Sequence, residues 1–339
     1  MISTKTRPVV AFGSAMKAVV QDRYGSPDVL MLKDAAKPVA GDGEVLVRVH
    51  AAGVDRGVWH TMAGRPYLMR IAGFGLRAPK NPTVGMDLAG IVEAVGQNVT
   101  RFRPGDEVFG IGKASFAGFA LAREDKLAAK PENLTFEQAA AVGISGSTAL
   151  QAVRDHGRVK PGQNVLIIGA SGGVGTFAVQ IAKAFGARVT GVCSTTKVDI
   201  VRSIGADRVI DYAREDFADG DQRYDVILDI GGNSKLARLR RALTPEGTLV
   251  IVGGEGGGPW FGGIDRQLRA TMMSAFVHQT LKTFINNENY KDLIVLKELI
   301  ESGKLTPVID RTYPLAEAPE AILYLQQGRV RGKVVITVG

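Results

Sequence analysis

The chain has 339 residues, 45% hydrophobic and 22% charged, a composition typical of a globular protein large enough for two cores. Its net charge is +8, but the basic residues form no long run, which argues against nucleic-acid binding. No stretch of about 18 apolar residues occurs, so we expect no transmembrane helix. The single cysteine, Cys193, excludes an intramolecular disulfide and favours a reducing compartment, for which we expect the cytoplasm.

The N-terminal part of the chain has the pattern of β-structure. We interpret residues 1–15 as an N-terminal extension without a strong pattern. In residues 16–138, short β-branched segments alternate with Gly, Pro and Asp turns, of which Pro104-Gly105-Asp106 is the clearest. Residues 135–156 then predict a helix, with Thr135 as its potential cap.

A regular alternation of strands and helices follows. Strands are predicted at 165–168, 187–193, 208–211, 226–230, 248–252 and 271–277. Helices are predicted at 174–185, 196–204 and 234–243. This alternation predicts an α/β domain with a doubly wound parallel sheet. An amphipathic helix is expected at 289–302, and strand patterns at 308–313 and 332–338 are expected to rejoin the mostly β domain.

A glycine-rich turn joins a predicted strand to a predicted helix at 166–175 (LIIGASGGVG). It matches a dinucleotide-binding fingerprint in which Ala170, Gly172 and Gly175 hold the three glycine positions. Gly172 would let the backbone approach a pyrophosphate, and Gly175 would let the helix pack closely on the strand. The free N–H groups of the helix N-terminus would face the phosphates. The predicted cofactor-binding residues of this turn are Ala170, Ser171, Gly172, Gly173, Val174 and Gly175.

The residues after the second strand favour NADP(H) over NAD(H). An NAD site needs a carboxylate about 20 residues beyond the turn, to bind the ribose 2′-hydroxyl. Ser194 occupies that position, Lys197 follows it, and no acid occurs before Asp199. Hydroxyl groups and a positive charge suit a 2′-phosphate, which is a dianion. We therefore predict NADP(H) as the cofactor, with Ser194 and Lys197 at its 2′-phosphate.

Several segments occur in a characteristic order along the chain. They are 16–18, 41–49, 51–55, 85–90, 104–108, 147–150, the fingerprint and 332–335. Together they resemble the zinc-free quinone oxidoreductases of the medium-chain dehydrogenase/reductase superfamily over about residues 16–339. The resemblance implies a GroES-like catalytic domain of residues 16–138 and 279–339, and a Rossmann domain of residues 139–278. It also implies an active site between the two domains and a homodimer joined through the edge of the Rossmann sheet.

The resemblance implies further contacts to the cofactor. The corresponding positions are Thr148 near the nicotinamide ribose, Lys197 and Tyr212 at the 2′-phosphate, Ile230, Val252, Ala275 and Phe276 around the nicotinamide, and Lys333 near the phosphates. Ordinary packing at the end of a strand is the alternative for Tyr212.

The positions that bind zinc in related dehydrogenases hold other residues here. Asp55 stands near their cysteine ligand, and Met86 and Asp87 stand where they carry a His-Glu pair. The histidines show no ligand spacing, and one cysteine cannot supply the four ligands of a structural site, so we expect no metal. Without zinc to stabilise an alkoxide, the substrate must already be electrophilic. This favours reduction of a small quinone or α,β-unsaturated carbonyl by NADPH.

Residues 55–67 contain three candidate catalytic side chains. His60 would donate a proton to the developing enolate, Asp55 would orient substrate or ribose hydroxyls, and Tyr67 is a second candidate donor. Many relatives carry Asn and Tyr in place of Asp55 and His60, so these roles do not transfer directly. Water is the alternative proton donor, and His60 is then a structural hydrogen-bonding residue.

Residues 65–80 have the pattern of an insertion, with an apolar face and four basic residues. They would form a lid over a hydrophobic pocket, a surface for a membrane quinone, or a contact with the neighbouring domain. Two other functions stay open for the chain. One is an enoyl-thioester reductase on the same scaffold, and the other is a non-catalytic NADPH-binding or partner-binding protein.

Overall fold

The computed structural model describes residues 15–254 and 258–339. Residues 1–14, which make up nearly all of the predicted N-terminal extension, lie outside the described residues, and Ala15 begins the first strand. Among the described residues, no helix is long and apolar enough to cross a membrane.

The described part of the chain contains fifteen strands and nine α-helices. The strands are β1 (Ala15–Val20), β2 (Met31–Ala36), β3 (Glu44–Val54), β4 (Asp87–Val95), β5 (Glu107–Ile111), β6 (Phe119–Arg123), β7 (Leu127–Ala129), β8 (Asn164–Ile168), β9 (Arg188–Cys193), β10 (Arg208–Asp211), β11 (Tyr224–Asp229), β12 (Leu243–Ile251), β13 (Thr280–Thr283), β14 (Ile309–Pro314) and β15 (Lys333–Thr337). The helices are α1 (Arg56–Ala63), α2 (Phe136–Ala140), α3 (Gly143–Gln151), α4 (Gly173–Ala184), α5 (Val198–Ser203), α6 (Leu236–Ala242), α7 (Ile264–Ser274), α8 (Tyr290–Glu301) and α9 (Ala318–Gln326).

The strands form three sheets. β1 and β2 pair with each other, and a mixed sheet has the order β14-β15-β3-β4-β5-β7, with β6 paired to β3. The third sheet is parallel and has the order β10-β9-β8-β11-β12-β13. Its strand order reverses between β8 and β11, which is the crevice where open α/β sheets bind their ligands. The predicted α/β class, a mostly β domain beside a doubly wound sheet, is confirmed.

The sequence of β8 explains why it lies in the middle of the parallel sheet. Val165 and Ile167 join the core cluster that contains α4, whereas Leu166 and Ile168 join a separate cluster on the other face. Successive side chains of a strand point to opposite faces, so a continuous apolar run suits a sheet that is covered on both sides.

The prediction of a strand at 271–277 was wrong. Those residues belong mostly to α7, which ends at Ser274. Ile264, Leu268 and Met272 recur every four residues, a helical spacing that the strand assignment overlooked. The sixth strand of the parallel sheet is instead β13, paired with β12. The parallel sheet therefore extends beyond residue 278, where we placed the end of the Rossmann domain.

The C-terminal part of the chain returns to the mixed sheet and meets the glycine-rich turn on the way. The Gly332 N–H donates to the Ser171 carbonyl oxygen over 2.8 Å, and Gly172 and Gly332 form an isolated parallel bridge. β15 then pairs with β3. This junction places residues of the two sheets on opposite walls of one cleft.

Candidate functional site

The glycine-rich turn has the geometry of an anion-binding site. Gly169 makes the turn after β8 with φ +86°, which favours glycine. A Cβ on Gly175 would lie 2.1 Å from the Gly169 carbonyl oxygen, so this position requires glycine for helix–strand packing. A Cβ on Gly172 would meet only one atom, at 3.6 Å, so the backbone there is open to a ligand. α4 begins at Gly173 without a side-chain cap, which leaves its first N–H groups available to phosphates.

The turn opens into a cleft of about 540 Å³ between the two sheets. Eight of the predicted site residues line it: Asp55, Ser171, Gly172, Gly173, Val174, Lys197, Ile230 and Lys333. They come from the junction of β3 and α1, the turn, α4, β15 and the segments after β9 and β11, so chain segments far apart in sequence meet here.

The charge of the cleft suits a phosphorylated ligand. Arg56, Lys197 and Lys333 line it together with one carboxylate, Asp55, and Lys333 is paired with the buried Asp87. The Lys197 ammonium donates to the carbonyl oxygens of Gly328 and Val330 over 2.7 and 2.8 Å. Burial lowers the pKa of Lys197. This lysine therefore connects the parallel-sheet domain to the C-terminal segment at the edge of the cleft.

Asp55 presents an unsatisfied oxygen. Its Oδ1 caps α1 by accepting a hydrogen bond from the Val58 N–H over 3.1 Å. Its Oδ2 is buried and has no hydrogen-bond partner among the described residues. A buried acceptor without a donor costs free energy, so a ligand hydroxyl at this atom would be stabilised.

A buried ion pair lies against the cleft, between α3 and the start of α4. The Lys333 ammonium is 3.1 Å from both Asp87 Oδ2 and Ser145 Oγ, and Asp87 Oδ1 accepts the Ile144 N–H over 2.7 Å. Burial raises the pKa of Asp87 to about 6, with Lys333 opposing this rise and Asp55 adding to it. Lys333 is therefore neutralised mainly by Asp87, and it supports the turn because a Cβ on Gly173 would lie 3.0 Å from its Cδ.

Two of the predicted catalytic side chains are not among the residues that line this cleft. His60 Nδ1 lies 2.9 Å from the Arg65 carbonyl oxygen, the contact of a structural histidine. Tyr67 faces the parallel-sheet domain. Its backbone N–H donates to the Pro259 carbonyl oxygen over 2.8 Å, and its ring packs edge-to-face against the Trp260 ring. Of the three alternatives for residues 65–80, a contact with the neighbouring domain is thus observed.

The other predicted cofactor residues lie outside the cleft lining for different reasons. Ala170 and Gly175 are buried in the strand–helix packing. The Thr148 hydroxyl donates to the Ile144 carbonyl within α3. Val252 packs on the core, Ser194 precedes a short helical turn, and Tyr212 is 64% exposed.

Ala275 and Phe276 require a correction. Because residues 264–274 form a helix and not a strand, Ala275 only ends that helix, and Phe276 is 85% exposed outside the cleft lining.

Several cleft residues escaped the sequence analysis. Gly169 carries the left-handed turn, and its position directly after an apolar strand was the available signal. Arg56 and Ser145 line the cleft, as does Asn233 after β11, but no local pattern distinguishes them. They become functional candidates only in the folded structure, where segments that are distant in sequence meet at the cleft.

Two family models match the chain. Residues 41–153 match the alcohol dehydrogenase GroES-like domain, and residues 204–336 match a model described as zinc-binding dehydrogenase. A quinone oxidoreductase of Sus scrofa is 35% identical over 318 residues, which covers 90% of this chain and 92% of that protein. This chain belongs to the quinone oxidoreductase-like branch of the medium-chain dehydrogenase/reductase superfamily.

Other members of the superfamily carry informative names. The 2-methylene-furan-3-one reductase of Solanum lycopersicum is 33% identical over 350 residues, 98% of this chain and 82% of its own. The solved structure of mycobacterial Rv1454c complexed with NADPH has a TM-score of 0.80 and 26% identity, covering 95% of this chain and all of that one. The quinone oxidoreductase-like chain described here is accordingly an NAD(P)-dependent oxidoreductase with GroES-like and Rossmann domains.

The name of the second family model raises the question of zinc. Among residues 15–254 and 258–339, no group of three or more His, Cys, Asp or Glu side chains is arranged to hold a metal ion. By contrast, the open backbone at Gly172, the uncapped helix, the cationic wall and the unpaired Asp55 oxygen fit a pyridine dinucleotide.

Proposed function

We propose that this quinone oxidoreductase-like protein reduces a quinone or an α,β-unsaturated carbonyl with NADPH and without zinc. The observation that carries the proposal is the cleft itself. It joins a helix N-terminus open to phosphates with a wall that holds Asp55 in place of a metal-binding cysteine.

Several groups that line the cleft have a role in this chemistry. When bound, NADPH would supply the hydride to an electron-poor carbon. α4 and Arg56 would hold the pyrophosphate, and Asp55 Oδ2 would accept a hydrogen bond from a hydroxyl of the ribose or substrate. An electrophilic carbon needs no metal to form an alkoxide, so the protein mainly orients the reactants and excludes water. Because His60 Nδ1 is hydrogen-bonded to the Arg65 carbonyl oxygen, we assign to water the proton that the substrate takes up after hydride transfer.

The preference for NADPH is supported by the charge near the second strand. Lys197 lines the cleft, and its ammonium donates to two carbonyl groups that a 2′-phosphate would replace. The relative solved with NADPH is consistent with this choice. Ser194 and Tyr212 stay part of the proposed 2′-phosphate site, because the ends of β9 and β10 are neighbours.

The test follows NADPH and NADH oxidation, with and without EDTA, against 1,4-naphthoquinone, a linear enone, an enoyl thioester and an aldehyde. We expect EDTA-insensitive oxidation of NADPH with the quinone or the enone. Lys197→Met should raise the KM for NADPH about tenfold or more and leave the KM for NADH nearly unchanged, since a charged hydrogen bond contributes about 1.5–3 kcal/mol. Arg202→Met, which removes an exposed cation from α5, is the control.

Three outcomes would contradict parts of the proposal. Activity with NADH alone would refute the 2′-phosphate site. Loss of activity in EDTA that added zinc restores would refute zinc independence. Tight NADPH binding without turnover of any substrate would favour the non-catalytic binding protein.

We also propose a homodimer joined through β13 and, from the buried free thiol of Cys193, a cytoplasmic location. β13 is the terminal strand of the parallel sheet, and an edge strand presents unpaired backbone groups to a partner. A reporter fusion found in another compartment would refute the location.

A further inference from the structure

A second pocket lies beside the cofactor cleft, and the proposed function does not yet use it. This side pocket has a volume of about 270 Å³ and is bounded by residues 73–74, 79–81, 83–86 and 112–114 together with Gln21, Tyr24 and Thr61. Small-molecule sites have volumes of roughly 300–1,000 Å³, so the side pocket suits a body of one or two rings.

The side pocket and the cofactor cleft share a thin wall. Gly57 lines the cleft, Met86 lines the side pocket, and a Cβ on Gly57 would lie 3.8 Å from Met86 Sδ. Thr61 lies one turn further along the same helix, α1, and faces the side pocket. A molecule in the side pocket is therefore separated from the cleft by Gly57, which has no side chain, and by the flexible thioether of Met86.

The outer wall of the side pocket is held in place. The Tyr24 hydroxyl lies within hydrogen-bond distance of the carbonyl oxygens of Gly75 and Phe74, at 2.8 and 3.1 Å. The Arg70 guanidinium lies 4.4 Å from the Tyr24 ring centre and donates to the Gly64 carbonyl over 2.8 Å. These contacts fasten the segment 65–80 to the end of α1, so the pocket is a built feature of the fold.

The side pocket has apolar side chains on its walls, and its charged residues are both cations. Tyr24, Phe74 and Met86 supply the apolar surface. The ammonium groups of Lys80 and Lys113 form no ion pair or hydrogen bond with any other described residue, and no Asp or Glu lines the pocket. Two uncompensated cations beside an apolar surface attract an amphipathic anion.

Gln21 adds a buried polar group to the same pocket. It is 2% exposed, its Nε2 donates to the Met62 carbonyl, and its Oε1 has no partner among the described residues. Ala114, which also lines the pocket, holds φ +63°, a conformation that L-residues adopt at a cost and that is common at binding sites.

We propose that the side pocket binds the body of the substrate, whose electrophilic carbon extends past Gly57 and Met86 into the cleft, and that this substrate is an aromatic or similarly apolar molecule with an anionic group that pairs with Lys80 and Lys113. The inference rests on the proposed function for its assignment to the substrate. It narrows the class from neutral quinones and enones to those with a carboxylate, sulfonate or comparable anion.

The first test measures binding alone. Isothermal titration of the NADP-loaded protein compares naphthalene-2-sulfonate with 2-naphthalenemethanol, which is neutral and similar in shape. We expect the sulfonate to bind at least tenfold more tightly at low salt, and this advantage to disappear in K80Q/K113Q. Lys113→Arg should retain it, and Lys304→Gln, which removes an exposed lysine outside the pocket, should leave it unchanged.

The second test measures turnover of 1,4-naphthoquinone-2-sulfonate and 1,4-naphthoquinone. K80Q/K113Q should lower kcat/KM for the sulfonate about tenfold relative to that for the neutral quinone, with an unchanged melting temperature. Equal binding of the two naphthalenes to wild type, or sulfonate binding that survives K80Q/K113Q, would overturn the inference. Sulfonate binding that depends on the lysines, without NADPH turnover of any quinone, would instead overturn the proposed function and leave the anion site standing.

Discussion

Asp87 and Lys333 are oppositely charged side chains that are almost completely removed from water, with exposures of 0% and 2%. The pair has further hydrogen bonds, because Lys333 also donates to the Ser145 hydroxyl and Asp87 also accepts from the Ile144 N–H. Removing one member of such a pair leaves an uncompensated buried charge, which costs more than removing both. The pair therefore couples β15 to β4 and holds the base of the cleft.

We predict that Lys333→Met lowers the free energy of unfolding by about 3–5 kcal/mol at neutral pH, whereas D87N/K333M lowers it by less. The pH dependence distinguishes this cause from lost packing. Burial already raises the pKa of Asp87 to about 6, and losing Lys333 raises it further. The folded state then holds a proton that the unfolded state releases, so the stability of Lys333→Met falls as pH rises above about 4.

Urea unfolding at pH 5 and pH 8 measures this effect. The cost of Lys333→Met relative to wild type should be larger at pH 8 than at pH 5, whereas the cost of D87N/K333M, which lacks the titrating carboxyl group, should not rise with pH. An equal cost at both pH values would mean that lost packing, and not the Asp87 charge, dominates.

Lys197 and Asp211 show where sequence reasoning at the residue scale stops. The spacing rule considers only residues near Ser194 in the sequence, where it found no acid, and Lys197 does line the cleft. The rule could not see Asp211, which ends the neighbouring strand β10 and accepts a hydrogen bond from the Thr195 hydroxyl over 2.7 Å. Strand pairing, which local sequence does not encode, brings that carboxylate beside the proposed 2′-phosphate site, where the Arg214 guanidinium lies 3.5 Å from it.

At the scale of single elements, the strand–turn–helix from β8 to α4 was the most predictable feature of the chain. The apolar run, the glycines and the helix start all express local requirements of backbone conformation and close packing. α7 was mispredicted because the β-branched and apolar composition of its C-terminal end outweighed its four-residue spacing. α1 and α9 were not predicted as helices.

Gly172 and Gly175 have separable roles in this element, and we predict opposite consequences for alanine at each. Gly175→Ala should lower the free energy of unfolding by about 3 kcal/mol, since its Cβ would lie 2.1 Å from a backbone oxygen. Gly172→Ala has open space and an ordinary φ of −86°, so stability should be unchanged or rise by about 0.4–1 kcal/mol.

Chemical denaturation and NADPH titration separate the two effects. The Gly172→Ala protein should fold normally and bind NADPH at least tenfold more weakly, because the methyl group occupies the space of the pyrophosphate. Normal NADPH affinity in that protein would show that the ligand does not approach this turn.

At the scale of the whole molecule, the cleft exists because the chain adds strands to the mixed sheet both before and after it forms the parallel sheet. β15 begins at Lys333, 279 residues after Val54, the last residue of β3, and the two strands pair at Val54 and Val334. The parallel sheet is formed by the chain between them. The strand patterns at 308–313 and 332–338 predicted this return, and the resemblance to known enzymes implied the same. The two sheets are joined into one site by the hydrogen bonds of Lys197, Gly332 and Lys333.

The edge of the parallel sheet gives the last prediction, which concerns assembly. β13 ends the sheet, and the residues that flank it include Phe276, 85% exposed, and Ile285, 93% exposed. Exposed apolar groups beside an open strand edge are typical of a two-fold interface, in which each copy presents the same surface.

We expect sedimentation equilibrium to give twice the chain mass of 36.0 kDa. F276E/I285E should shift the protein to the monomer while its helix and strand content stays unchanged. Val39→Glu, which places the same charge at an 85% exposed site on the other domain, should leave the dimer intact. A wild-type monomer at micromolar concentration, or a dimer that survives F276E/I285E, would exclude this edge as the interface.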